Sequence, residues 1–166
     1  KPNNYPEWQD DPSLYEHTAT IAAAVVTGDT GGNIADVGDL FVALDLSGNV
    51  RGVASQLIAP FGEYEDQFFY EMTLRSNTSG ENLVFKYYDA SEDMVVDVSE
   101  TYSFVINDII GDLNNVTEYS IGTPNTHFII DINETGVSQL VIFLSSITYL
   151  NPGDEIGIFD SNGVLE

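Results

Sequence analysis

Short apolar segments, each cut off by Gly, Asn, Asp or Ser, succeed one another along this chain at about the spacing of strands in a sandwich. Val, Ile, Thr, Tyr and Phe are abundant while Lys, Arg, Gln and Met are scarce, which is strand rather than helix chemistry. The longest early segment, residues 17–26, holds several alanines. Its Ala19, Ile21, Ala23 and Val25 nevertheless fall on one face at period two, with Thr18 and Thr20 opposite, so it reads as a strand. Residues 39–44 and 50–56 read as a hairpin around residues 45–49, with Gly48 supplying the positive φ that the turn demands. Residues 68–75, 83–89, 94–98 and 102–106 are further strands, and the polar stretch 107–115 closes a domain. Thr126 onward starts again, with strands over residues 126–132, 139–147 and 155–159. The expected fold is all-β: an antiparallel β-sandwich, jelly-roll or immunoglobulin-like, over residues 1–116, then a partial second sandwich over residues 117–166.

The second part echoes the first. Residues 38–48 align without gaps on residues 153–163, matching Gly38-Asp39 to Gly153-Asp154, Asp45 to Asp160 and Gly48 to Gly163. A turn–strand–turn unit that recurs in this way points to tandem sandwiches of one type. The second copy lacks counterparts of the strands beyond Arg51 in the first, and half a sandwich leaves an apolar face and strand edges unpaired. Three explanations stay open: a chain cut from a longer protein, an ordered part that ends early, or a neighbouring molecule that supplies the missing strands by β-augmentation. The third makes the chain the subunit of a homo-polymer, with Leu140, Ile142, Leu144, Val164 and Leu165 as the expected assembly interface. The opening Lys1-Pro2-Asn3-Asn4 reads as a mature or excised start.

Charge narrows the function. Asp and Glu number 27 against 4 Lys and Arg, a net charge of −23. No basic stripe exists to neutralise phosphates, so nucleic acid is excluded, and docking on anionic lipid is disfavoured. No apolar run is long enough for a membrane span. With no cysteine, disulfide frameworks, zinc-thiolate sites and cysteine nucleophiles fall away. Acidity favours hard cations, and Asp36, Asp39, Asp108, Asp112, Asp154 and Asp160 are candidate calcium ligands in loops, with Asp29, Asn33 and Asn162 nearby. Asp and Asn also shape turns unaided, which explains the same residues without a metal.

Trp8, Tyr15 to Ile21, Gly38 to Ala43 and Val50 to Ala54, with Ser79 to Ala90 strongest, resemble a β-sandwich module of large secreted proteins of environmental bacteria, of the type exported by the type IX pathway of the Bacteroidota. The tail from Asn125 to Asp160 resembles the opening of a neighbouring repeat in such proteins. The C-terminal sorting signal that such proteins often carry is missing from this sequence. The resemblance implies extracellular or cell-surface placement and a scaffold or adhesive role. It names no catalytic residue.

No nucleophile elbow or paired-histidine zinc motif occurs, and the two histidines, His17 and His127, have no evident partner pattern, so a non-enzymatic role is expected. Sequons at Asn77, Asn115 and Asn133 sit in expected loops and could carry glycans. Contiguous aromatics, Phe68-Phe69-Tyr70 and Tyr87-Tyr88, should split between core and surface, because neighbours on a strand point to opposite faces. An exposed Tyr87 or Tyr88, or Trp8, could stack on sugar rings. The leading expectation is therefore an extracellular structural protein, subunit of a surface layer or filament, and the rival is a polysaccharide-binding or adhesin module.

Overall fold

In a computed structural model of the chain, residues 4–28 and 30–121 are described. After a 3-10 turn at Pro12–Leu14, capped by the Asp11 carboxylate on the Ser13 N–H, the described residues form nine strands. They are β1 (His17–Thr27), β2 (Leu40–Asp45), β3 (Val50–Val53), β4 (Ser55–Ile58), β5 (Phe68–Ser76), β6 (Asn82–Asp89), β7 (Met94–Ser103), β8 (Ile109–Ile110) and β9 (Thr117–Ser120). One sheet runs β4-β5-β1 with β8 and β9 both against the far side of β1, and the other runs β3-β2-β6-β7. The described residues are thus an all-β sandwich, as the segment pattern indicates.

The core between the sheets is aromatic. Phe41 stacks on Phe85 at 5.5 Å, and Tyr119 packs on both, at 5.1 and 4.7 Å. Tyr70 meets Tyr87 edge-on at 6.3 Å. Such pairs fill large volumes at few rotatable bonds and add to plain area burial.

Four features differ from the sequence reading. In β1, Ala19 and Ile21 face the main core, but so do Ala24 and Val26, while Ala23 and Val25 pack with Ala59 and Phe69 in a second cluster on the outer side. The cause is a β-bulge: Ile21 pairs Met72 and Ala24 pairs Tyr70, so β1 carries one extra residue and its alternation slips. Residues 50–56 do not form one strand. β3 pairs β2 in one sheet, β4 pairs β5 in the other, and Ala54 between them donates its N–H to the Phe41 carbonyl at 2.9 Å. The crossover is tight enough that a Cβ on Gly52 would lie 2.5 Å from the Thr73 carbonyl oxygen. The expected break between segments 94–98 and 102–106 is absent: β7 runs unbroken from Met94 to Ser103, because the polar residues between lie on an edge and need no burial, and it stops short of residues 104–106. Finally, β8 and β9 run parallel to β1, and Tyr119 is in the core, so this sandwich extends past the expected boundary at residue 116. Gly48, with φ of +85°, makes the expected turn.

Candidate functional site

The clearest polar constellation is built around Arg51. This guanidinium rises from β3 among apolar neighbours, and its side chain is only 12% exposed. Nη2 donates to Asp45 and to Glu81, both at 2.8 Å, and Nε donates to both Glu81 oxygens at 3.2 Å. Nη1 donates to the Tyr15 hydroxyl at 2.7 Å, and that hydroxyl donates to the Val50 carbonyl at 3.0 Å. The Tyr15 ring also lies 4.9 Å from the guanidinium carbon, within cation–π reach. Ser76 donates its hydroxyl to Glu81 at 2.5 Å. The β2–β3 turn presents Asp45 by wrapping its carboxylate with the N–H groups of Ser47 and Asn49.

These contacts set the protonation states. The Arg51 hydrogen bonds hold Glu81 below its ordinary value, against the opposing effect of burial. At Asp45 burial opposes ionisation most strongly, yet the bonds from Asn49 and Ser47 and the Arg51 charge outweigh it and lower the value. The ensemble is thus an ionised knot in which all three nitrogens of the Arg51 fork donate.

Beside the knot lies a shallow cleft of about 620 Å³ between the N-terminal segment and the β2–β3 turn, lined among others by Glu7, Gln9, Asp11, Tyr15 and Asn49. Its wall offers hydrogen-bond acceptors and amides. The arrangement can hold a polar surface in place. It brings no nucleophile and base together among its lining residues.

The other basic residues described are engaged too. Arg75 binds Asp10 at 2.8 Å and Lys86 binds Asp97 at 2.6 Å. Among the described residues, every Lys and Arg is therefore matched to a carboxylate.

The residues singled out from sequence are dispersed. Asp39 is buried and accepts from the Asp36 and Ala90 N–H groups, at 2.7 and 2.8 Å, and from the Tyr87 hydroxyl. Asp36 accepts from the Val37 N–H, Asp108 from Tyr102 and the Ile109 N–H, and Asp112 from the N–H groups of Asn114 and Asn115. All four shape turns or strand ends, and among the described residues no three His, Asp or Glu side chains converge on a metal position. Asn77 is exposed, but its amide donates to the Leu14 carbonyl at 3.0 Å and its oxygen accepts from the Glu16 N–H at 2.8 Å, so it ties the N-terminal segment to β5. Asn115 is exposed in the turn after β8. Asp29, Asn133, Leu140, Ile142, Leu144, Asp154, Asp160, Asn162, Val164 and Leu165 lie outside the described residues.

The stacking platform needs correction. Tyr87 is 0% and Tyr88 4% exposed. Tyr87 points into the core. Tyr88 points out of its sheet but is covered by the N-terminal segment: Tyr5 packs edge-on at 5.4 Å, and Asn4 binds Asp93, which accepts the Tyr88 hydroxyl. Phe69 and Tyr70 are likewise both buried, because both faces of their sheet are covered there. Neither Tyr87 nor Tyr88 can meet a sugar ring. Trp8 is partly exposed in the N-terminal segment.

Sequence reasoning missed Arg51 as a hub, although a lone base within an apolar strand of so acidic a chain is a legible signal. It also passed over the uncharged stretch 52–62, which carries exposed Leu57, Ile58 and Phe61. No helix among the described residues is long and apolar enough to cross a membrane. Comparison of the chain with protein-family models, with curated proteins and with solved structures finds no match in any of the three.

Proposed function

We propose that this chain is a non-catalytic structural building block of an extracellular assembly, a surface layer or filament, in which the acidic sandwich is the solvated body and uncharged strand segments make the joints. The observation that carries this reading is the disposition of charge. The described basic side chains are bound to carboxylates of the same sandwich, so the body presents an acidic exterior. Copies of such a body repel one another through most of their surface. Contact between them must therefore fall on segments without charge, and residues 135–153 hold no Asp, Glu, Lys or Arg. The resemblance to tandem secreted modules supports the extracellular setting.

Negative-stain electron microscopy and light scattering of the full chain test the reading. Filaments or sheets are expected, favoured by salt because screening shortens the range of the repulsion, and a chain truncated at Gly136 should not form them. Dispersed single-chain particles at every salt concentration would sink it. Loss of assemblies in a calcium chelator would make calcium part of the joint. A carbohydrate-binding role draws support only from the cleft beside Arg51, where Gln9, Asn49 and Tyr15 offer polar groups and a ring. It predicts a monomer whose affinity for polysaccharide falls on Gln9→Ala.

A further inference from the structure

The exposed edges of the two sheets are not alike. β7 carries Asp97 and Glu100, and its Val98 is bridged by Ile121. β8 lies between Asp108 and Asp112, and β9 contains Glu118. β3 contains Arg51 with its two carboxylates. β4 differs from all of these. It ends the five-stranded sheet, paired to β5 on one side only. Residues 52–62 around it hold no charged side chain, and Leu57, Ile58 and Phe61 are 40%, 59% and 49% exposed. Leu57 and Ile58 are adjacent on the strand and point to opposite faces of the sheet, so a strand laid along this edge would meet an apolar side chain on either face.

Soluble proteins guard free edges with charge, because unpaired N–H and C=O groups recruit other strands. Here the other sheet edges carry or adjoin charged side chains, and this edge does not. We propose that β4 is the acceptor edge for a strand of a second copy of this chain, and that the donor lies within the uncharged run 135–153, centred on Leu140, Ile142 and Leu144. Two arguments select that occupant. Docking an acidic segment here would bring more negative charge against a chain whose net charge is already −23. The run 135–153 is the longest uncharged stretch of the chain, and its residues 139–147 have the composition of a strand. Main-chain hydrogen bonds then supply affinity, and the alternating apolar side chains supply register. This rests on the assembly reading above and names its contact.

The chain has no cysteine, so single cysteines report contacts cleanly. Full-length Leu57→Cys and full-length Ile142→Cys are mixed in equal amounts under mild oxidation at a salt concentration that supports assembly. The mixed disulfide dimer is expected to exceed either homodimer. In parallel, Leu57→Glu with Ile58→Glu should weaken association roughly 10-fold or more, the scale of losing interface anchors, without changing thermal unfolding, since both side chains are exposed. If the wild type assembles but the double variant assembles equally well and the disulfides form without preference, β4 is not the acceptor and the assembly reading stands. A chain carrying both cysteine substitutions that closes only on itself overturns the second copy as donor. A wild type that never associates ends both proposals.

Discussion

At the scale of single residues, the molecule spends its scarce positive charge on holding itself together. Arg51 meets carboxylates from the β2–β3 turn and from the start of β6, at positions 6 and 30 residues away, and a tyrosine from the N-terminal segment. Asp45 and Glu81 are 12% and 23% exposed, so removing Arg51 strands two charges with little water. Arg51→Ala should lower unfolding free energy by roughly 2–4 kcal/mol, somewhat under the usual figure for breaking a buried pair because solvent reaches Glu81. Arg51→Lys should recover only part of this, since an ammonium cannot reproduce the fork. Acid reads out the same knot. Asp45 and Glu81 are depressed from ordinary values of 3.8 and 4.5. Their stabilisation is fully present above those values and is lost as pH falls through the lower folded values. Denaturant melts of the wild type and Arg51→Ala should differ most near neutrality and converge below the ordinary carboxylate range. A gap that stays constant into acid would show that lost packing, not lost charge pairing, causes the effect. The rarity of bases is a signal that could have singled out Arg51 and was missed, and its partners carried no signal at all, because they come from three separate stretches of chain.

At the scale of elements, the informative one is the strand that changes sheets. β3 and β4 are separated by Ala54 alone, and the turn between sheets brings the backbone of Gly52 against β5. A Cβ there would stand 2.5 Å from the Thr73 carbonyl and 3.0 Å from Met72. The Thr73 oxygen belongs to a ladder and cannot swing aside as a side chain would. Gly52→Ala should therefore cost about 1–3 kcal/mol, the range for overpacking a tight site, measured as a shift in denaturation midpoint with unchanged slope. An unaltered midpoint would mean that the crossover is looser than this geometry. From sequence alone, residues 50–56 look like a single strand, because nothing local distinguishes a strand that stays in its sheet from one that leaves. The bulge in β1 was hidden for a related reason. Its alanines are apolar in either register, and only the positions of Met72 and Tyr70 opposite decide where the slip falls.

For the whole molecule, the alkaline limit is set by phenols whose ionisation the fold opposes. Burial pushes Tyr70 up to about 12. Burial with hydrogen bonds to Glu118 and Asp108 does the same for Tyr64 and Tyr102, each to about 12. Tyr87 and Tyr119 are raised further by burial, Tyr87 also by its bond to Asp39. A raised value means that the fold favours the neutral phenol. That contribution is complete below the ordinary value of 10 and drains away as pH climbs through the folded values near 12. Alkaline titration should therefore show these rings ionising late and together with loss of the fold, seen as tyrosinate absorbance rising in step with the loss of strand circular dichroism. Early, gradual ionisation of all tyrosines in an intact fold would contradict the packing described.

Local chemistry is what the sequence alone determined. Period-two patterning with strand-forming residues specifies an all-β chain, and the glycine after Ser47 specifies its turn, because backbone sterics and turn geometry depend on near neighbours. The excess of acid over base was equally plain. Tertiary structure alone decided the rest. It placed β9 parallel to β1 and carried the sandwich past residue 116, and it laid the N-terminal segment over Tyr88. It also buried Asp39 under a hydrogen bond from Tyr87 and left β4 as the uncharged edge. Each of these depends on which distant segments meet, and burial of the shared core selects that pairing globally, so no window of neighbouring residues contains it.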